Sequence, residues 1–101
     1  MRPLSAVLSA AASERLAELS DKSFDELSEL PDYSWQEVLR EGYTLMISIW
    51  HDILESGEHR IVVQAGKPGM LASWRFHAEG FAIDNRNERR DLTNEELSSF
   101  R

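Results

Sequence analysis

The chain has 101 residues, 42% hydrophobic and 29% charged, with 18 acidic against 11 basic side chains, a formal net charge of -7 and no cysteine. That length supports one hydrophobic core, and the missing cysteine excludes disulfides and thiolate chemistry. The negative balance argues against nucleic acid, because Arg86, Arg89 and Arg90 are interrupted by Glu88 and followed by Asp91 and so make no concentrated positive field.

At the N-terminus, Arg2 and the apolar residues after it imitate a secretory signal. Ser5 and Ser9 interrupt the stretch and a single positive charge precedes it, so a cytoplasmic protein is expected. No apolar run approaches the roughly 20 residues that span a bilayer, and no membrane role is expected.

Along residues 4–19, Leu4, Val7, Leu8, Ala11, Ala12, Leu16 and Leu19 recur at helical spacing, opposite Ser5, Ser9, Ser13, Glu14 and Glu18. Two placements fit this modest, Ala-rich stripe. Either the helix packs across its own domain, or residues 1–22 are an appendage that docks on a second copy while residues 23–101 form the domain. In the second placement Leu8 is an interface residue. Ser23 and Glu26 form a capping-box pattern, and Pro31 closes a short helix over 24–30 with Phe24, Leu27 and Leu30 on one face.

From Pro31 the pattern turns extended. Glu41-Gly42 predicts a hairpin between 34–40 and 43–54, although 34–40 is equally compatible with a helical turn. The turn "ESGE" at 55–58 leads to a strand at 59–65, and "GKPG" at 66–69 to another within 73–84, where Gly80 suggests a bulge or bend. After a turn at 85–88, Thr93 with Glu96 and the pair Leu92 and Leu97 predict a short C-terminal helix. The sum is an α+β fold, an antiparallel three- to four-stranded meander packed against N-terminal helices. No connection after residue 43 is long enough for a parallel crossover.

Whether "ISIWHDILESGEHRIVVQ" carries chemistry depends on register, because strand side chains alternate between faces. A two- or four-residue turn sets Leu54 opposite His59 and Trp50 opposite Val63, and His51 and His59 then point apart. This register is the expected one. A one-residue slip, through a three-residue loop or a bulge, would bring both histidines to one face. In that case alone His51, His59 and His77 become candidate metal ligands. Otherwise no cofactor is expected. No catalytic residue is assigned, since Asp52 and His59 can meet diagonally but lack a nucleophile or oxyanion hole. "QAGKPGM" at 64–70 has Pro68 after Lys67 where a phosphate-binding loop needs Ser or Thr. His77 and Glu79, two apart beside Arg75, read as a polar row on the solvated side of the sheet.

What remains is interaction. Strand 43–54 is apolar on both faces, with Leu45, Ile47, Ile49 and Ile53 against Met46, Trp50 and Leu54, so each face needs a cover. Trp35, Trp50 and Trp74 suit an interface anchor. The sequence therefore predicts a small acidic, non-catalytic module that associates with itself or with another protein, with Trp50, Met46, Trp74 and Leu8 as interface candidates. Residues 1–42 hold nine acidic against four basic side chains. That asymmetry gives an alternative, an inhibitor or immunity-type protein covering a basic target. A small histidine-based metal protein or enzyme is the third class.

Overall fold

The computed structural model describes residues 2–67 and 76–98. In chain order the elements are α1 (Leu4–Ser20), α2 (Phe24–Ser28), β1 (Tyr33–Arg40), β2 (Tyr43–Ile53), β3 (His59–Gly66), β4 (Phe76–Ile83), β5 (Arg89–Asp91) and α3 (Asn94–Ser98). The strands form one antiparallel sheet in the order β1-β2-β3-β4-β5, so the fold is the expected α+β meander with one more strand. β5 is only three residues, too short to show a period in sequence. The Asp84 carboxylate builds its turn by accepting from the backbone N–H of Arg86 (2.9 Å) and Glu88 (3.0 Å), with Asn87 in the left-handed region at φ 65°.

Residues 33–40 are strand rather than helical turn. Glu41 (φ 48°) and Gly42 (φ 82°) both sit in the left-handed region, the geometry of a two-residue hairpin turn whose twist suits the flanking strands. Once that turn forms, Arg40 faces Tyr43 and the whole of β1 is drawn onto β2.

One face of the sheet carries the core. Leu45, Ile47 and Ile49 of β2, Ile61, Val63 and Ala65 of β3, and Phe81 and Ile83 of β4 pack against Val7, Leu8, Ala11, Ala12 and Leu19 of α1 and Leu27 of α2. α1 thus packs across its own sheet, over β3 and β4. Burial of a Val or Leu side chain stabilises by roughly 1.5–3 kcal/mol. Val7, Leu8 and Leu19 together contribute on the order of the whole ~5–15 kcal/mol net stability of a small domain. Leu8, 4% exposed, is therefore a core residue with no surface to offer a second chain.

Gly80 makes neither bulge nor bend. It pairs with Val62 in an unbroken ladder, between Glu79 opposite Val63 and Phe81 opposite Ile61. A Cβ there would overlap the Ile61 carbonyl oxygen and lie 2.7 Å from Leu92 Cδ1. Glycine is required because the β3 backbone leaves no room for a methyl, and Leu92 lies on the sheet beside it, bringing α3 across the face opposite α1. Among the described residues no helix is long and apolar enough to cross a membrane.

Candidate functional site

The β2–β3 turn decides where the histidines go. Gly57 N–H donates to the Leu54 carbonyl (2.9 Å), Leu54 N–H donates to the Glu58 carbonyl (2.8 Å), and Gly57 takes φ 91°. This is a three-residue loop with a left-handed glycine at its last position. It sets Ile53 opposite His59, His51 opposite Ile61 and Trp50 opposite Val62. The expected register, with Leu54 opposite His59, is overturned by that one residue. Every side chain of β3 changes face relative to β2 as a result.

His51 and His59 accordingly sit on the helix side as diagonal neighbours. His51 is 7% exposed, its Nε2 is 2.7 Å from His59 Nδ1, and the rings stack with centroids 5.0 Å apart. Both ends of α2 reach the pair. His51 Nδ1 lies 3.0 Å from the carbonyl of Leu30, just past α2, while Phe24 at its start sets its ring edge-on to His59 at 4.8 Å.

The partners assign the protons. A carbonyl only accepts, so His51 Nδ1 carries hydrogen. Its Nε2 lone pair in the neutral ring then accepts Nδ1–H of His59. The chain ends at His59 Nε2, which has no hydrogen-bond partner among the described residues. Burial, and then the neighbouring His51, push the His59 pKa below its usual value. One proton can be shared along this chain; a second leaves two N–H groups facing each other with no lone pair between them.

His77 does not join the pair. It lies opposite Ala65, six residues along β4 from Ile83, which faces His59. At about 3.3 Å per residue that is ~20 Å away. Nor do His77 and Glu79 form a solvated row: they share the helix-side face with Phe81. His77 Nε2 is 2.8 Å from the Glu79 carboxylate, which also accepts Ser13 Oγ–H from α1. Asp52 is taken by Arg60, whose Nε donates at 2.8 Å, and not by His59. Among the described residues no three His, Asp or Glu side chains converge as metal ligands.

The other face of the sheet is built differently. Toward β4, Arg60 donates to the Glu96 carbonyl (2.9 Å) and Leu92 covers Gly80, so Val62 and Ala82 are buried. Toward β1 the surface is apolar and open. Tyr33, Trp35 and Leu39 are 40%, 56% and 68% exposed, beside half-buried Met46 and Trp50. The set is held in place: the Tyr33 and Trp50 rings lie 4.3 Å apart, the Tyr33 hydroxyl is 3.2 Å from Ser48 Oγ, and Trp50 Nε1–H donates to Gln64 (2.9 Å). Of the sequence candidates, Trp50 and Met46 belong to this face and Leu8 does not; Trp74 lies outside the described residues. Tyr33 and Leu39 join Trp50 and Met46, and their signal in the sequence is the alternation Tyr33, Trp35, Leu39 in a segment equally compatible with a helical turn.

No known protein family, characterised protein or solved structure matches this chain. Among the described residues, the two features that stand out are an internal histidine pair and an open aromatic face. Neither carries a nucleophile beside a base.

Proposed function

We infer that this protein is a non-catalytic interaction module whose partner is a second copy of itself, engaged through the exposed β1 side of the sheet. The observation that supports it is that Trp35 and Leu39, each more than half exposed, share one sheet face with Tyr33, Met46 and Trp50, with Glu37 between them. Single exposed apolar residues are ordinary on protein surfaces, whereas a contiguous set with large aromatic rings marks a docking surface. A tilted ring contact and hydrogen bonds already order Tyr33 and Trp50, so little side-chain freedom is lost when a partner packs beside them. Tryptophan and tyrosine are also the side chains that most often dominate binding energy at interfaces.

Light-scattering molar mass across a concentration series tests this reading. The wild-type chain is expected to run as a dimer or larger, and Trp35→Glu to run as a monomer with unchanged near-ultraviolet circular dichroism. A wild type that stays monomeric throughout overturns it, as does a stoichiometric transition metal in a monomer peak. Salt separates the reading from the charge-steered alternative. Two copies at -7 each repel, so added salt tightens self-association, whereas it weakens binding to a basic target.

A further inference from the structure

The two edges of the sheet are unequal. β5 is three residues, Arg89-Arg90-Asp91, all exposed, and Arg90 is tied to Glu58 (2.9 Å) and Glu96 (2.9 Å). A short, charged strand of this kind resists pairing with another chain. β1 at the opposite edge runs eight residues and has neither proline nor a bulge, and its pairing with β2 is unbroken.

The direction of its free backbone groups follows from one hydrogen bond. His51 N–H donates to the Asp32 carbonyl (3.0 Å), which makes Asp32 and His51 a hydrogen-bonded pair. In an antiparallel ladder such pairs alternate, so Ser34, Gln36, Val38 and Arg40 turn their main-chain groups to β2. Tyr33, Trp35, Glu37 and Leu39 turn theirs outward. The three exposed apolar side chains of β1 and its free backbone groups therefore belong to the same residues.

Resting on the self-association reading above, we propose that two copies join edge to edge, β1 against β1 antiparallel, about a two-fold axis at Gln36, making one continuous ten-stranded sheet. A two-fold perpendicular to the sheet must pass through a residue facing its own copy, because residues directly opposite in an antiparallel pair point to the same face. Four centres, Trp35 to Val38, pair more than half of β1 with its copy, and centring on Val38 leaves Tyr33 and Trp35 beyond the partner strand. Centring on Glu37 sets that carboxylate directly opposite its copy, which is repulsive. Centring on Trp35 leaves Leu39 beyond the partner strand and sets Arg40 opposite Leu30. Centring on Gln36 sets Tyr33 opposite Leu39, Trp35 opposite Glu37 and Asp32 opposite Arg40, each twice. Every outward N–H of the four odd residues then meets a carbonyl, and a carboxylate and a guanidinium face each other at both ends. The Leu39 carbonyl exchanges its present donor, the chain's own Arg40 side chain (3.0 Å), for the backbone of Tyr33. The two Trp35 rings become diagonal neighbours, within reach of each other on the open face.

The cysteine-free chain makes the register directly measurable. Gln36 would face its copy as a non-hydrogen-bonded pair with Cα atoms ~4.5 Å apart, within the range a disulfide spans. Gln36→Cys in the full chain is expected to convert almost completely to a covalent dimer under mild oxidation, at a rate unchanged by dilution within the dimeric range. Ser34→Cys and Val38→Cys should each fail to link alone and link to one another when mixed. Ser56→Cys, on an exposed turn, reports collisional linking. If the wild type is dimeric by mass while Gln36→Cys and the Ser34/Val38 mixture link no faster than Ser56→Cys, edge pairing is overturned and self-association stands. If the wild type is monomeric, both fail.

Discussion

His51→Ala tests whether the histidine pair clamps α2 to the hairpin. The substitution removes the hydrogen bond to the Leu30 carbonyl and the bond to His59, about 1 kcal/mol each. The vacated ring adds ~1–2 kcal/mol for the cavity, since the site is nearly closed to solvent. The sum, about 3–4 kcal/mol, corresponds to a fall in Tm of roughly 15–25 °C for a domain of this size. Urea unfolding followed by tryptophan fluorescence at about pH 7.5 and about pH 5.5 brackets the ordinary histidine value. The folded-state pKa of His59 is depressed, so the unfolded chain binds the extra proton first as pH falls. The contribution of the pair is fully present above about pH 6.5 and is lost as pH drops through the folded value. The wild type should thus lose stability across that window, and His51→Ala should show a shallower loss, because burial of His59 remains while its neighbour is gone. The carboxylates held low by hydrogen bonds, Glu26, Glu41, Glu58 and Glu96, titrate below this window and do not confuse it. Equal stabilities with parallel pH dependence would refute the clamp.

Two further outcomes follow from packing. Gly80→Ala should destabilise by about 1–3 kcal/mol or more, as the added methyl meets backbone that cannot yield, and Leu92→Ala should relieve only the side-chain part of that clash; a double-mutant cycle by urea unfolding measures the split, and a neutral Gly80→Ala would show that β3 and β4 separate freely. A chain lacking residues 1–20 should lose near-ultraviolet circular dichroism and cooperative unfolding, because Val7, Leu8, Ala11, Ala12 and Leu19 leave the core with it; a folded truncation would make α1 an appendage after all.

Local chemistry made much of this fold legible. The capping box at Ser23 and Glu26 forms as its spacing requires, with both reciprocal hydrogen bonds present. The Glu41-Gly42 step produces its hairpin turn, and the absence of crossover connections leaves a meander as the available sheet. Each of these is decided within a few residues of chain, so sequence order alone contains the information.

Local pattern specifies most of the elements and their amphipathic faces, whereas which faces meet depends on the packing of the whole sheet. The histidines show why. Whether 55–58 closes as a two-, three- or four-residue turn depends on Gly57 taking a left-handed conformation while the strands on either side bury Ile49, Ile61 and Val63 together. Registers one residue apart differ by the burial of a whole face, an energy that belongs to the sheet and α1 jointly and not to the turn. The same holds for Gly80, whose need for a bare backbone appears only when β3 pairs with β4 and brings the Ile61 carbonyl, with Leu92 beside it, onto that position. It holds too for β1, where a segment compatible with either conformation becomes an exposed edge because Leu92 and α3 cover the face opposite α1 only toward β4 and leave Tyr33, Trp35 and Leu39 open.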